Sequence, residues 1–434
     1  MKAGSWYHGW NILAVCVLAQ IATLGVATNC LTFFLEGWSR DFNMPISQIV
    51  IAIPLFSVTC CILAPVVGGL ADRYPVRLLL AGALLVIVTG HLLIGFARSG
   101  WQIIAIYTLL LPFAASFSGG IPTQTLVSRW FVRRRALAFS ICAVGLVLAG
   151  ILFPPIVVFL IERVGWRMTW WIFGGAIMLL VLPAVLLVIR ERPGTEEGRH
   201  YVLPETAAAD GTVPTVRDIL SRRNFWLPIA VFAPVLLSNS GLQMNFAPFV
   251  AARGLSIAEA AILIGVFNAA AAIGKLATGT LADRFGNRLP LLLVAALGTA
   301  STFWLVWAHG LVPLSLGFIA LGFSQGVWVL LASCIAAEFG STGFPRAYGI
   351  ASCFAVLTTV SPPVLARVAE ETGSYGAGLL ALGVICLIAV VAALFFRDSA
   401  RSPSSVPLAA AALQSELAPE GLEERLVSRS EAAS

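Results

Sequence analysis

Long apolar segments, separated by short polar or charged loops, recur along almost the whole chain. Most are about 20 residues or longer, the length that a helix needs to cross the hydrocarbon core of a bilayer. The pattern predicts an all-α membrane protein with twelve transmembrane helices. We place them at residues 10–35, 46–70, 78–97, 101–125, 136–161, 168–190, 224–250, 257–281, 289–309, 312–338, 346–369 and 374–396.

Composition and charge support this interpretation. Of the 434 residues, 59% are hydrophobic and 11% are charged, which is typical of a polytopic membrane protein. Of the 27 Lys and Arg residues, 20 fall on the side of the two termini, six on the opposite side and Lys275 inside the membrane. The positive-inside rule therefore places both termini in the cytoplasm, with the protein in the cell membrane. The net charge of +6 comes from these loops and needs no nucleic-acid partner.

A loop signature occurs twice, at a fixed offset of 211 residues. Its first copy comprises Gly68, Asp72, Arg73 and Arg77, and its second copy comprises Gly279, Asp283, Arg284 and Arg288. The pairs Arg135-Ala136 and Arg346-Ala347 keep the same offset, and each is expected to open a helix after a loop. A long internal repeat of this kind indicates two structurally equivalent halves. We therefore predict two pseudo-symmetric six-helix bundles.

The repeat and the polar segments define the predicted domains. Residues 1–190 form the N-terminal bundle and residues 224–397 the C-terminal bundle. Residues 191–223, rich in Pro, Gly and charge, form a cytoplasmic linker. Residues 398–434, rich in Ser, Ala and Glu, form a cytoplasmic tail that we expect to be disordered.

With its doubled Asp-Arg loops, the chain resembles the major facilitator superfamily of transporters. The resemblance implies two bundles that rock about a central binding site. It also implies that the loops latch neighbouring helix ends in the outward-facing state. The corresponding positions here are Asp72, Arg73, Arg77, Arg135, Asp283, Arg284, Arg288 and Arg346. Pro75 departs from the glycine that is usual in the first loop.

Further motifs resemble one branch of this superfamily. They are Arg129-Trp130-Phe131, the arginine run ending at Arg135, Gly165-Trp166-Arg167 and the opening Gly9-Trp10. These motifs are similar to those of the monocarboxylate transporters and their oxalate/formate antiporter relatives. The resemblance implies secondary transport of small organic anions by a rocker-switch form of alternating access, without catalysis and without a cofactor.

Lys275 is the main candidate for anion binding. Asn268, Ala271, Lys275 and Gly279 share one face of the predicted eighth helix, which looks like a cavity wall. A charge inside a bilayer normally faces a watery pathway or a partner. The resemblance implies that a basic residue here pairs with the substrate carboxylate, and a single cation favours a monoanion. The alternative is that Lys275 extends to the membrane surface.

Other polar side chains on helices one, seven, eight and ten are candidate cavity residues. They are Gln20, Asn29, Asn239, Gln243, Asn245, Asn268, Gln325 and Trp328. Each could instead form a hydrogen bond between helices, which is a common packing device in membranes. His91 could titrate near neutral pH or could be packed, so proton co-transport stays open.

The alternatives to an anion carrier are an enzyme, a transporter of another small solute and a transporter-like membrane sensor. An enzyme is disfavoured, because the spans hold no paired carboxylates, no metal-ligand cluster and no nucleophile beside a base. A transporter of another small solute, or a transporter-like membrane sensor, stays an alternative.

The eight cysteines are interpreted as small packing residues.

Overall fold

The computed structural model describes residues 7–131, 134–191 and 214–398. Within these ranges the chain is almost entirely helical, and ten helical runs are long and apolar enough to cross a membrane. Two of them, Arg135–Val188 and Leu311–Thr372, have 54 and 62 residues. At 1.5 Å per residue, each is long enough to cross the bilayer twice. The predicted twelve-helix fold is therefore confirmed.

We number the twelve membrane helices in chain order. The first six are α1 (His8–Phe42), α2 (Ala52–Arg73), α3 (Val76–Phe96), α4 (Gly100–Trp130), α5 (135–164) and α6 (166–188). The last six are α7 (Arg223–Met244), α8 (Ile257–Phe285), α9 (Arg288–Trp307), α10 (311–339), α11 (341–372) and α12 (Gly376–Phe395). In the described ranges, three short helices lie outside them, at Ile46–Ile49, Val216–Ser221 and Phe246–Ala251.

Two glycines divide the two longest helical runs. Gly165 has φ 78° and separates α5 from α6, and Gly340 has φ 64° and separates α10 from α11. Glycine adopts this left-handed region without the steric cost that a side chain would bring. Because Gly340 alone forms the turn, α11 begins at the next residue without an intervening loop. The expectation that Arg346 opens this helix is therefore wrong, because residues 341–345 are already helical.

Several membrane helices are irregular near their middles. α1 is interrupted at Cys30, α4 contains a π-helical turn at Ile106–Leu110, and α10 contains a 3₁₀ turn at Ser324–Gly326. α11 contains a longer 3₁₀ segment at Cys353–Thr359. Such interruptions in membrane helices occur where the backbone lines a cavity or is buried in protein. These interruptions therefore indicate that the helices line a cavity or are buried by their neighbours in the central part of the molecule.

The two sets of six helices meet mainly along two helix pairs, with further contacts from α4 and α5 to the helical run that contains α10 and α11. α2 packs against α11, and α5 packs against α8. Within the last six helices, α8 packs against α10, and α12 packs against both α7 and α9. The division into domains that move as bodies stays a prediction. Most of the predicted linker, and all of the predicted tail beyond Asp398, lie outside the described residues.

Candidate functional site

The second Asp-Arg loop closes one end of the interface between the two halves. Asp283, near the end of α8, accepts hydrogen bonds from the backbone N–H groups of Ala136 (3.0 Å) and Leu137 (2.9 Å). These are the second and third residues of α5, and the first N–H groups of a helix have no partner within it. A carboxylate here also faces the positive end of the helix dipole. Asp283 therefore caps a helix of the other half.

The first Asp-Arg loop makes a different contact. Asp72 lies near the end of α2 with 3% of its side chain exposed, and Nε of Arg346 lies 3.4 Å from its Oδ2 atom. Neither carboxylate oxygen forms a hydrogen bond with a described residue, so this is an ion pair alone. The N–H groups of α11 that correspond to those capped by Asp283 are already bonded within the helix, because α11 starts at residue 341. The two loops are thus equivalent in sequence but not in bonding.

Arg346 also ties the end of the linker to α11. Its guanidinium donates a hydrogen bond to the Pro214 carbonyl oxygen at 3.0 Å. The helix Val216–Ser221 begins next to this contact, with reciprocal hydrogen bonds between Thr215 and Asp218. The hydrogen bond from the Thr215 side chain holds the pKa of Asp218 below its usual range. The chain therefore enters its second half beside the first Asp-Arg loop.

Repeat-related glycines let the helices approach closely at this end. A Cβ atom added to Gly279 on α8 would lie 2.6 Å from the Ala136 carbonyl oxygen of α5 and would overlap the Ser140 side chain. A Cβ atom added to Gly68 on α2 would overlap the Pro345 carbonyl oxygen of α11. Backbone oxygens cannot move aside without shifting a helix. We call this end of the molecule, where residues 72–77 and 283–288 lie, the loop end.

Gly68→Val is expected to prevent closure of the loop end, because the new side chain would meet the α11 backbone. The adjacent Gly69→Val is the matched control, since an added Cβ there has no atom within 4 Å. Spin labels at the exposed residues Tyr74 and Phe285, in a background without native cysteines, would report the distance between the halves. Gly68→Val should lengthen this distance and Gly69→Val should not. Equal effects of the two variants would contradict the close-approach role.

Aromatic side chains fill the interface just inside the loop end. Phe139 of α5 stacks on Phe344 of α11 with ring centroids 5.6 Å apart, and Phe344 stacks on Tyr348 at 5.0 Å. All three are buried. Arg135 adds a hydrogen bond of 3.1 Å to the Ala336 carbonyl oxygen of α10. The two halves are therefore packed together without a water-filled gap at this level.

The other predicted latch residues lie at the surface of the loop end. Arg73, Arg77, Arg284 and Arg288 are exposed. The backbone N–H of Arg77 donates to Glu191, and Arg288 donates to the Leu394 carbonyl oxygen of α12 at 3.4 Å. Neither of these bonds joins the two halves. Their role as latches stays a prediction.

Sequence reasoning missed a network beside the first loop. Arg129 at the end of α4 pairs with Glu191 at 2.7 Å and donates to the Ala71 carbonyl oxygen at 3.0 Å. Glu191 in turn accepts the N–H of Arg77 at 2.8 Å. This network joins the ends of α2 and α4, the start of α3 and the end of α6. The Arg129 motif is visible in the sequence, but its carboxylate partner, Glu191, lies 62 residues away, so the sequence did not indicate the pair.

A cavity of about 800 Å³ lies between the two halves. Its walls come from α7, α8, α10 and α11 on one side, and from α2, α5 and the turn before α2 on the other. On every helix that also contributes to the loop-end closure, the cavity residues lie further from the loop end. On α8, for example, residues 267–275 line the cavity, whereas Asp283 belongs to the closure. The cavity is thus separated from the loop end by packed side chains.

Lys275 lines this cavity and is buried, with 8% of its surface exposed. Close packing fixes its helix, because a Cβ atom added to the preceding Gly274 would lie 2.6 Å from the Phe323 backbone of α10. The 3₁₀ turn Ser324–Gly326 follows directly. Among the residues that the structure describes, none forms a hydrogen bond or ion pair with the Lys275 ammonium. A charge in such a site is costly without a partner, and this side chain lines the cavity.

The structure brings six of the nine predicted binding residues together. Asn239, Gln243, Asn268, Lys275, Gln325 and Trp328 all line the cavity. Asn239 is partly engaged, because its amide donates to the Val235 carbonyl oxygen and to Ser324 Oγ, both at 2.9 Å. Its carbonyl oxygen has no partner in the described part of the chain. The cavity therefore has several polar groups near its single cation.

Two predicted binding residues, Gln20 and Asn245, are not among the described residues that line the cavity. Gln20 donates to Thr123 Oγ1 at 2.7 Å and to Cys142 Sγ at 2.9 Å, and so joins α1, α4 and α5. Asn245 donates to the Gly241 carbonyl oxygen at 2.8 Å and to that of Pro362 at 3.0 Å. Both make the interhelical contacts that the sequence left open as an alternative. The side chain of Asn29 lies outside the described residues.

His91 is also remote from the cavity lining. Its ring is fully buried, bonds to the Ile87 carbonyl oxygen at 2.6 Å and packs on Trp170 with centroids 4.9 Å apart. Of the two alternatives, this geometry is that of a packed histidine. Of the eight cysteines, all in the described ranges, five are buried and three are partly exposed, and none forms a disulfide bond.

A many-helix membrane bundle, closed at one end around a solute-sized cavity, defines a membrane transport protein. A family model described as Major Facilitator Superfamily matches residues 16–326 and, again, residues 234–430. The chain belongs to this superfamily. It is therefore an integral, multi-pass membrane transporter, and the expectation that it is not an enzyme is confirmed.

Individual relatives agree with this assignment. Monocarboxylate transporter 12 of Mus musculus is 27% identical over 432 residues, which cover 91% of this chain and 86% of that protein. The Homo sapiens protein of the same name is 27% identical over 88% of this chain. The predicted resemblance to the monocarboxylate transporter branch is thus confirmed.

Solved structures support the fold. The human organic anion transporter MFSD10 (TETRAN) aligns with a TM-score of 0.69 at 16% identity, over 89% of this chain and 99% of that one. The E. coli fucose:proton symporter aligns with a TM-score of 0.63 at 15% identity, over 90% and 99%.

Proposed function

We propose that this transporter carries small organic anions, principally monocarboxylates, by alternating access between its two six-helix halves. The observation that carries the proposal is the ammonium of Lys275, which belongs to a mostly buried residue at the central cavity and has no partner among the described residues. At about 4 Å and an effective dielectric near 20, such a cation attracts a carboxylate by roughly 4 kcal/mol. The similarity to the mouse relative, which is named as a monocarboxylate transporter, supports the same substrate class.

The proposal includes an orientation. The excess of Lys and Arg on the side of the termini favours a cytoplasmic location for both termini and for the loop end, in the cell membrane. The conformation with a closed loop end is then outward-facing. Transport requires the Asp283 and Asp72 contacts to break, so that the cavity is exposed to the other side.

The lining of the cavity bears on proton coupling. None of its described residues is an Asp, a Glu or a His, and Lys275 is its one ionisable group. The cavity therefore has no carboxylate to accept a proton beside the substrate. If a proton gradient drives transport, it acts through Lys275 itself or through a group elsewhere.

Uptake of labelled monocarboxylates into proteoliposomes tests the proposed function. Saturable uptake is expected, above that of liposomes without protein, and unlabelled acid on the opposite side should accelerate exchange. Repeating the assay with an imposed pH gradient measures proton coupling. Specific binding without flux would favour a sensor, and neither binding nor uptake of any acid would favour a different solute. Either result would contradict the proposal.

A further inference from the structure

The two walls of the central cavity differ in chemistry. The first half of the molecule contributes Val50, Ile53, Pro54, Ser57, Leu146, Val147, Gly150 and Ile151. Ser57 is the single polar side chain in this set. We call this set of residues the apolar wall.

The opposite wall carries most of the polar side chains of the cavity. From the second half come Asn239, Ser240, Gln243, Asn268, Lys275, Gln325, Trp328, Thr358 and Thr359, together with the apolar residues Leu236, Met244, Phe267, Ala271, Pro362 and Pro363. In the described ranges, the amides of Gln243, Asn268 and Gln325 form no hydrogen bond with the protein. We call this set the polar wall. It presents the ammonium and several free donors and acceptors to the cavity.

The size of the cavity also bears on the size of the ligand that it binds. A volume of about 800 Å³ lies in the range of pockets that enclose drug-sized ligands. An acid of one to three carbons would leave most of it to water, which takes up about 30 Å³ per molecule. Water against the apolar wall gains no hydrogen bonds there, so displacing it with a hydrocarbon group is favourable.

We infer that the transported anion is amphipathic, with its carboxylate end against the polar wall and an apolar body of several carbons against the apolar wall. This inference rests on the proposed function, because it takes a monocarboxylate as the substrate. It assigns Ile53 and Val147 as specificity-determining residues. Lys275 selects the charge, and the apolar wall selects the size and shape of the hydrocarbon part.

Binding of a homologous series to the purified protein tests the inference. The probes are acetate, butyrate, hexanoate and phenylacetate, each with its uncharged primary amide as a control. A fully buried methylene strengthens binding by about three- to fourfold. Hexanoate, with four more methylenes than acetate, should therefore bind roughly 80- to 250-fold more tightly if all four are fully buried, and the amides should bind much more weakly than the acids.

Val147→Thr keeps the shape of the side chain and places a hydroxyl in the apolar wall. It should lower the ratio of acetate to hexanoate dissociation constants severalfold. Leu148→Thr is the matched control, because Leu148 is the next residue of α5 and does not line the cavity. It should leave the ratio as in the wild type.

The outcomes separate the inference from the proposed function. If acids bind better than amides but the dissociation constant does not change with chain length, the amphipathic substrate is wrong and the anion carrier stands. If amides bind as well as acids, or if no acid binds, the proposed function fails. Equal effects of Val147→Thr and Leu148→Thr would overturn the role of the apolar wall.

Discussion

Lys275→Ala is expected to weaken monocarboxylate binding by roughly 30- to 700-fold and to abolish uptake at concentrations that saturate the wild type. Removing one partner of a buried charge pair leaves the other unpaired, at a cost of about 2 to 4 kcal/mol. Lys275→Arg keeps the charge and should retain substantial uptake. Lys275→Met keeps much of the volume without the charge and should behave like Lys275→Ala.

Removing the charge of Lys275, as in Lys275→Met, should stabilise the unliganded protein. The Lys275 residue is mostly buried and its ammonium has no partner among the described residues, and a charged group in such a site lowers the free energy of unfolding. Lys275→Met should therefore unfold at a higher temperature than the wild type. Substrate should raise the midpoint of the wild type but not that of the variant, because a ligand stabilises only the protein that binds it. Unchanged uptake in Lys275→Ala would contradict the role of Lys275 in binding the anion.

Asp283→Ala is expected to favour opening of the loop end far more than Asp72→Ala does. Asp283 accepts two hydrogen bonds at the start of α5, whereas Asp72 makes an ion pair of 3.4 Å alone. A hydrogen bond to a charged group contributes about 1.5 to 3 kcal/mol, so losing two shifts the equilibrium by at least about 3 kcal/mol, or roughly 150-fold. Burying the Asp72 carboxylate without a hydrogen bond costs desolvation energy that offsets much of its attraction to Arg346, so we expect a smaller effect from Asp72→Ala.

Distances between spin labels at residues 74 and 285 measure this difference. The wild type should show mainly the short distance of the closed loop end. Asp283→Ala should add a large population at longer distance, and Asp72→Ala a small one. An equal or larger effect of Asp72→Ala would show that the unequal bonding of the two loops has no energetic consequence.

The sequence predicts the fold well, because the membrane imposes simple rules. A spanning helix must be long and apolar, and every backbone group must be bonded within it. The offset of 211 residues then relates the two halves. The boundary of α11 was missed because a single glycine, Gly340, replaces a loop. That one residue changes the partner of Asp72, which the repeat alone could not show.

The candidate site was predicted only in part, for a related reason. A polar residue in a membrane helix can face a cavity or a neighbouring helix, and the sequence does not give the rotation of the helix. Gln20 and Asn245 make helix contacts, whereas Asn268 and Gln325 face the cavity. The apolar wall was missed entirely, because Ile53 and Val147 look the same in sequence as residues that face lipid. The position of Lys275 at a cavity could be predicted, because a charged side chain inside a bilayer normally faces a watery pathway or a partner.

The most direct test of the account combines the charge of Lys275 with the charge of the ligand. Binding of one acid and its primary amide should be measured to the purified wild type and to Lys275→Met. The account predicts that the wild type binds the acid much more tightly than the amide, and that the variant binds both weakly and about equally. A preference for the acid that persists in Lys275→Met would contradict the central claim that this ammonium binds the substrate carboxylate.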